Sequence, residues 1–280
     1  MNTLKHILLA SCILPLGTVF SQELKDKDPN ILISELFQKE QDIRKRCETL
    51  SSNPNSDQKE LSNCYIAMSK IDIENQQLAL PLLDSYLNKQ ISLNNESLSN
   101  LYYIIQHAGG EIQEKYKNFI SDLFTKQIIT NQEYAWFTDR LNVRNNKAQT
   151  YGFQIKYWSD TQDTLPYPID IDAEKNTIQL GLESSKQYML DNYTNEYSPQ
   201  YMTEEEFVLF GHIKNSFDTK TTHILINNKE KVAINDKGFY IIKLHSRPQT
   251  ISVKLIKNNE VVDSQDILTN QKDWIEVDFY

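Results

Sequence analysis

The spacing of apolar residues changes near Lys147, and this change constrains the fold more than any single motif. Upstream, apolar side chains recur every three or four positions, which is typical of amphipathic helices. Downstream, they alternate with polar side chains, which is typical of half-buried strands. The sequence therefore predicts an α+β protein with an N-terminal helical domain that contains a short hairpin, followed by a C-terminal β region.

Capping and turn residues delimit the predicted helices. Asp57 with Glu60, and Thr130 with Glu133, have the spacing of helix N-caps. Pro81 is expected to end or kink its helix. The predicted helices cover residues 31–50, the stretch that follows Asp57, residues 78–87, 95–108 and 116–124, the stretch from Thr130 to Leu141, and residues 173–193, with Gly109 and Gly110 as a left-handed C-cap of the fourth.

Strands are predicted where polar and apolar residues alternate. Residues 151–157 form the first, and residues 165–171 are expected to pair with it. Hairpin turns are predicted at 235–238 and 258–259, because Asn, Asp and Gly accept positive φ. So many short strands predict an antiparallel β-sandwich. Its strands are expected at residues 208–213, 222–227, 231–234, 239–244, 251–256, 260–265 and 274–279.

The predicted organisation has four parts. Residues 1–21 are a signal peptide, and residues 22–193 form a mainly helical domain of unknown function. Residues 194–205 are a linker, because this stretch is rich in Tyr, Asn and Glu and lacks a regular period. Residues 206–280 form the β-sandwich module.

The N-terminus has the pattern of an export signal. Lys5 precedes a short apolar run that Pro15 interrupts, and the chain turns polar after Ser21, the expected cleavage site. The alternative is a lipoprotein, because residues 9–12 resemble a lipoprotein box that ends at Cys12. No transmembrane segment is predicted, since a span needs about 20 apolar residues. We expect an exported protein, periplasmic or secreted.

Two further cysteines, Cys47 and Cys64, fall on apolar faces of predicted helices. In an oxidising compartment such an isolated pair predicts a disulfide. The alternative is two buried thiols.

Charge and missing motifs exclude several classes of function. A net charge of −9 disfavours nucleic acid and anionic membranes as partners. The sequence has no P-loop, no nucleophile elbow and no Cys-x-x-Cys. Residues 170–176 echo a calcium loop, but Lys175 stands where the loop needs Gly, so no metal or cofactor is predicted. His212, His223 and His245 are interpreted as surface or edge residues of β segments.

Three polar segments occur in a recognisable order: Gln106-His107-Ala108, Asp139-Arg140, and the run from Gln149 to Gln154. With Gln41-Asp42-Ile43-Arg44, Asp72-Ile73-Glu74-Asn75 and Gly181-Leu182, they resemble an uncharacterised bacterial domain-of-unknown-function family, whose members are often exported. The resemblance covers residues 31–193 and implies no established activity. This chain has Gly152-Phe153-Gln154 where many members have Gly-Thr-Gln. Residues 232–240 resemble the carboxypeptidase-regulatory-like group of small sandwiches, which are usually non-catalytic.

These segments also supply the candidate site. His107 can act as acid or base, and Asp139 can fix its tautomer. Arg140 can clamp a ligand carboxylate or phosphate. Neutral hydrogen bonds to a ligand are expected from Gln149, Tyr151 and Gln154, provided that Gly152 bends the strand. The alternative gives these residues ordinary roles, with His107 at a helix end and Asp139 as a solvated carboxylate.

Two classes of function follow from this cluster. The first is an exported envelope protein that binds a polar small molecule or an envelope protein through the His, Asp, Arg, Gln and Tyr side chains. The alternative is a hydrolase-like or transferase-like enzyme that uses His107 as general base. The two classes differ in whether His107, Asp139, Arg140 and Tyr151 share one concave pocket, because an enzyme requires His107 to have a hydrogen-bonded partner beside an accessible cleft.

Overall fold

A computed structural model describes residues 27–158, 163–192, 199–214 and 217–280. The predicted signal peptide and lipoprotein box therefore lie outside the described residues, as does part of the predicted linker. The contacts divide the chain into two compact units, residues 1–108 and 109–280. Within the described residues, no helix has the length and apolar character needed to cross a membrane.

The described part of the first unit contains three helices with polar caps. They are α1 (Pro29–Ser52), α2 (Gln58–Leu87) and α3 (Asn95–Gln106). Asp57 caps α2 by accepting a hydrogen bond from the backbone N–H of Lys59 at 2.9 Å, as predicted. Asp28 and Asn94 cap the other two helices in the same way.

The predicted cysteine pair joins α1 to α2. Cys47 and Cys64 are buried and lie at disulfide distance, with Cα atoms 5.6 Å apart. The pairing follows from the short turn between the helices, which places the end of α1 beside the start of α2. An apolar core then fills the space among the three helices, with Ile33, Leu83, Leu101, Ile104 and Ile105 fully buried.

Two helix ends differ from the sequence prediction. Pro81 was expected to end or kink its helix, and the ending is wrong, because α2 continues past it to Leu87. A proline inside a helix costs about 3 kcal/mol, and burial of neighbours such as Leu83 offsets that cost. The glycines after α3 do not form a left-handed cap either. His107 is the C-cap residue, and Gly109 is the N-cap of the next helix with φ −65°.

Four helices lie in the described part of the second unit. These are α4 (Gly110–Thr125), α5 (Asn131–Arg144), α6 (Ala173–Gln179) and α7 (Ser185–Asn192). The predicted capping box is present, because Thr130 and Glu133 bond each other's backbone N–H groups. The single helix predicted over 173–193 is instead two, since Gly181 has φ +72° and interrupts it.

Two small strand pairs follow α5. β1 (Ile155–Trp158) pairs antiparallel with β2 (Asp163–Pro166), much as predicted. β3 (Ile169–Asp170) runs parallel to β4 (Tyr201–Met202). The first strand starts at Ile155 and not at Tyr151, because the preceding residues form a loop around Gly152.

The described part of the C-terminal region contains seven strands in two sheets. The strands are β5 (Phe207–His212), β6 (Thr222–Ile226), β7 (Glu230–Val232), β8 (Phe239–Leu244), β9 (Thr250–Lys257), β10 (Glu260–Leu268) and β11 (Trp274–Glu276). One sheet has the order β10-β9-β6-β7, and the other has the order β11-β5-β8. All their pairs are antiparallel except β11 with β5. One buried cluster draws on strands of both sheets, including Leu209, Ile224, Val253 and Ile275.

The predicted turns have the expected backbone. Asn258 and Asn259 both have positive φ in the tight turn between β9 and β10, and Gly238 has φ +92° before β8.

Strand β10 lies at the end of its sheet in the described strand order. Its pairing with β9 shifts by a bulge between Val261 and Asp263. Val261 and Val262 are exposed there.

A second core joins the β strands to the segment that precedes them. It contains Leu165, Met202, Val208, Phe210 and Trp274. The indole N–H of Trp274 donates to the Lys147 carbonyl at 3.0 Å, and the Asp273 carboxylate accepts from the backbone N–H of Ala148 at 2.8 Å. These contacts tie the sheets to residues well upstream of the predicted linker.

Candidate functional site

Three charged side chains and a histidine meet among the three helices described for the first unit. Glu40 and Arg44 come from α1, Asp72 comes from α2, and His107 lies at the C-terminal end of α3. We call these four residues the Glu40 cluster. Of these, only His107 was among the predicted site residues.

Helical spacing places the cluster on the faces where the helices meet. Along α1, the residues that face α2 or α3 are Leu36, Glu40, Arg44 and Cys47, separated by four, four and three positions. On α2, Cys64, Asp72, Asn75, Ala79 and Leu83 share one side in the same way. The Glu40 cluster is therefore a polar layer between the disulfide and the apolar core.

The Glu40 carboxylate holds one nitrogen of the His107 ring. Glu40 is 1% exposed, and its Oε1 is in hydrogen-bond contact with His107 Nδ1. The opposite ring nitrogen, Nε2, has no hydrogen-bond partner among the described residues, and the His107 side chain is 23% exposed. His107 thus has a buried partner at Nδ1 and a side chain that is partly exposed to solvent.

Arg44 balances part of the acidic charge. Its Nη2 lies 2.9 Å from Asp72 Oδ2 and 3.5 Å from Glu40 Oε1. Burial of a carboxylate costs several kcal/mol unless charge and hydrogen bonds compensate it, and Arg44 with His107 provides that compensation for Glu40. The predicted clamp residue was Arg140, whereas the arginine of the Glu40 cluster is Arg44.

Several polar atoms of this layer lack partners. Arg44 Nη1 and Asp72 Oδ1 are buried and form no hydrogen bond with a described residue. The same holds for Oδ1 of the fully buried Asn75, whose Nδ2 donates to the Leu36 carbonyl at 2.7 Å. An unsatisfied buried polar atom costs about 1–3 kcal/mol, so such a group is a natural place for a water molecule or a ligand atom.

In the second unit, Asp139 and Gln149 shape the loop of residues 149–154. Asp139 is completely buried, and its two oxygens accept from the backbone N–H groups of Tyr151 and Phe153, each at 2.9 Å. The alternative of a solvated carboxylate is therefore wrong for Asp139. The loop closes over it because Gly152 adopts φ +87°, the bend that the sequence predicts.

Gln149 is also fully buried and is engaged within the loop. Its Nε2 donates to the carbonyls of Gln154 at 3.0 Å and Tyr167 at 2.8 Å, and its Oε1 accepts from the backbone N–H of Gln154. The nitrogen and the oxygen of the Gln149 side-chain amide thus both bond to backbone groups. A direct bond from Gln149 to a ligand would require these bonds to break.

Burial changes the acid–base properties of two loop residues. It raises the pKa of the Asp139 carboxyl to about 7, although the backbone N–H groups of Phe153 and Tyr151 oppose the change by favouring the ionised form. Burial raises the pKa of the Tyr151 phenol to about 12, with a further contribution from Tyr134 and Asp139. Tyr151 is therefore a hydrogen-bond donor at neutral pH and not a base.

The remaining predicted residues are placed as follows. Arg140 is half-buried on α5, and Gln154 is half-buried at the end of the loop. The structure brings Gln149, Tyr151 and Gln154 together in one loop, which Asp139 of α5 bonds through the backbone. His107 belongs to the first unit, where its carboxylate partner is Glu40.

The other histidines differ from one another. His212 is 4% exposed in the central strand β5, stacks on Phe239 and contacts the Lys237 carbonyl, so its interpretation as a surface or edge residue is wrong. Burial lowers the pKa of His223, and His245 is exposed. Within the described residues, no group of three or more His, Cys, Asp or Glu is arranged to hold a metal ion.

Each unit also contains an open cavity. In the first unit, a cavity of about 370 Å³ is bordered by Arg44, Cys47, Tyr65 and Met68, next to the disulfide. In the second unit, a groove of about 800 Å³ runs between the end of α4 and the start of α5, with Phe124, Ile128 and Leu182 in its walls.

Comparison with known proteins identifies no family. The chain matches no family model, and no curated protein matches it significantly.

Sequence reasoning missed Glu40, Arg44 and Asp72 as site residues. A usable signal was present, because Glu40 and Arg44 are four positions apart on one helix face and Asp72 precedes Asn75 by three on another. What the spacing could not show is that α3 ends beside both faces.

Proposed function

We propose that this protein binds a polar ligand through the Glu40 cluster. The observation that carries the proposal is His107, whose Nδ1 is held by a buried carboxylate while its side chain is 23% exposed and Nε2 has no partner among the described residues. A purely structural histidine at a helix end needs no buried acid beside it. Keeping Glu40 buried there has a cost that binding can justify.

The unpartnered atoms support the same function. Arg44 Nη1, Asp72 Oδ1 and Asn75 Oδ1 offer one donor and two acceptors within the polar layer. Folding alone favours satisfied groups. In a binding site, such groups can bond water in the free protein and ligand atoms in the complex.

Export to the cell envelope is part of this proposal. It is supported by the apolar N-terminal run and by the paired cysteines, since disulfides persist in oxidising compartments. We also propose that the C-terminal strands form an accessory β-sandwich, which the core cluster common to both sheets supports. We also propose that the chain is related to the uncharacterised exported family. A ligand-binding role for Arg140, Tyr151 and Gln154 is likewise a proposal.

A thermal-shift screen tests the binding function. The full chain is heated with sugars, polyols, amino acids and short peptides, and stabilising compounds are repeated with His107→Ala. We expect the variant to melt at a lower temperature than the parent, because Glu40 stays buried without His107, and to gain no further stabilisation from the compound, measured against its own melting temperature. His245→Ala, which removes an exposed histidine in the other unit, is the matched control. Equal stabilisation of His107→Ala and the parent would count against the site.

One observation favours a second candidate, an enzyme that uses His107 as general base. A carboxylate bonded to one imidazole nitrogen is the arrangement that orients a catalytic histidine. We therefore retain a hydrolase-like or transferase-like activity as the alternative. The test is turnover of a bound compound. The enzyme is supported over the binding protein if His107→Ala loses turnover and His107→Gln still binds the compound.

A further inference from the structure

We propose that Glu40 keeps the His107 proton on Nδ1, so that Nε2 accepts a proton or a hydrogen bond from the hydroxyl group of an uncharged ligand. This inference rests on the proposed binding function and names its chemistry. Glu40 is then a positioning residue, and His107 is the residue that contacts the ligand.

The position of the proton follows from the partner. A buried carboxylate such as Glu40 accepts hydrogen bonds, and His107 Nδ1 is in contact with it. Nδ1 must then carry the hydrogen. In a neutral imidazole the other nitrogen is unprotonated, which makes Nε2 an acceptor.

The charges of the cluster do not balance. Glu40 and Asp72 contribute two negative charges and Arg44 contributes one positive charge, which leaves one negative charge. In the enzyme alternative, a hydroxyl gives its proton to Nε2: the O–H bond breaks, an N–H bond forms, and the electron pair stays on oxygen. The oxygen is then the nucleophile.

The same charges disfavour an anionic ligand. Arg44, which is the cation in contact with Glu40, already faces two carboxylates. No positive charge within the Glu40 cluster is therefore left over for phosphate or carboxylate. An uncharged hydroxyl group needs no such cation, and it has the hydrogen that Nε2 can accept.

The first test measures the tautomer of His107 in the full chain. Long-range nitrogen–proton NMR spectra of labelled protein are recorded at pH 8, where an ordinary imidazole is neutral. His107 is assigned by the signals lost in His107→Ala. We expect the Nδ1–H tautomer for His107 in the parent protein, and a mixture of the two tautomers at His107 in Glu40→Ala. An Nε2–H tautomer or an imidazolium in the parent protein would overturn the role of Glu40, whether or not the variant folds.

The second test identifies the ligand class with four probes: glucose, N-acetylglucosamine, inorganic phosphate and acetate. We expect the two sugars to shift the His107 signals and the two anions to leave them unchanged. Glu40→Ala should weaken sugar binding about tenfold, as expected for the loss of one hydrogen bond to a charged group.

The outcomes separate the two proposals. A shift with phosphate or acetate but not with sugars overturns the ligand class and leaves the binding function standing. A wrong tautomer together with sugar binding overturns only the role of Glu40. No response to any probe overturns the ligand class and also counts against the proposed binding function.

Discussion

At the scale of single residues, the second unit uses buried polar side chains to hold backbone. Asp139 and Gln149 are both fully buried, and between them they bond the backbone at Tyr151, Phe153 and Gln154. Each replaces the neighbouring strand that would otherwise satisfy those groups. The loop therefore depends on side chains whose removal leaves backbone N–H groups without acceptors.

Asp139 should make stability depend on pH. Its pKa is raised to about 7, from 3.8, because burial disfavours the charged form. The folded state therefore binds the proton more tightly than the unfolded state. Its contribution is fully present below about pH 4, is lost as the pH rises to about 7, and amounts to about 4 kcal/mol at most.

The Asp139→Asn variant checks this dependence by urea unfolding between pH 4 and 8. We expect a flatter profile than that of the parent, and a loss of about 1–3 kcal/mol at pH 4, since an amide offers only one acceptor oxygen. Asp122→Asn, on the exposed face of α4, is the control and should keep the parental profile. Parallel profiles for parent and Asp139→Asn would contradict the prediction.

Gly152 should resist substitution, whereas Gly109 should accept it. Gly152 has φ +87°, and an added Cβ would lie 3.3 Å from Cβ of Ser185. A left-handed backbone costs a non-glycine residue about 1–2 kcal/mol, so Gly152→Ala should lower the free energy of unfolding by at least that much. Gly109→Ala has φ −65° and meets no atom within 4 Å, so it should change stability by less than about 0.5 kcal/mol. Similar losses for both variants would sink the backbone explanation.

At the scale of helices and strands, the helical hairpin is closed at its tip by Cys47 and Cys64. The bond links residues 17 positions apart. It constrains the ends of α1 and α2 beside Arg44, which lies one turn from Cys47 on the same face.

Removal of the disulfide should destabilise the hairpin. On the loop-entropy model, a closed loop of this size is worth about 3 kcal/mol. We expect Cys47→Ser/Cys64→Ser to lose about that free energy of unfolding in urea. Reductant should lower the stability of the parent to the same level and leave the double variant unchanged. An identical urea midpoint for parent and variant, both oxidised, would contradict the prediction.

The element types follow from the sequence because burial has one period on helices and another on strands. The strand predicted at residues 239–244 coincides with β8, and the capping box at Thr130 opens α5. Helix continuation at Pro81 was missed, since tertiary burial outweighs a local cost there. The parallel pairing of β11 with β5 is a long-range contact that alternation does not encode.

The candidate site is less visible in the sequence. His107 has a recognisable context, but its partner Glu40 is 67 positions away and belongs to a stretch that looks like an ordinary charged helix. Asp139 falls on the polar side of its own helix, so its burial depends on the loop of residues 149–154. In the sequence, only Gly152 indicates that the chain bends there.

Over the whole molecule, the compact units do not coincide with the predicted boundary. The contacts separate residue 108 from residue 109, while the sequence pattern places the linker at residues 194–205. Trp274 stacks against Tyr167 with ring centroids 5.0 Å apart, and Asp273 bonds Ala148. The strands and the segment before them should therefore depend on each other.

Cleavage in the linker checks this dependence. A specific protease site is inserted within residues 194–205 of the full chain, and thermal unfolding is compared before and after the cut. We expect the fragments to stay associated and to unfold in one transition, because the core around Trp274 spans both. A β fragment that separates on gel filtration and melts independently would instead support the predicted module boundary.

The bulge in β10 has a consequence for behaviour at high concentration. An outermost strand with exposed valines is a template on which a second molecule can add a strand, and repeated addition leads to fibrils. Here the register slips where Val261 and Val262 are exposed, and Glu260 and Asp263 place negative charge on either side. An incoming strand meets an interrupted hydrogen-bond ladder and like-charged copies of the same residues, so the apolar edge resists self-assembly.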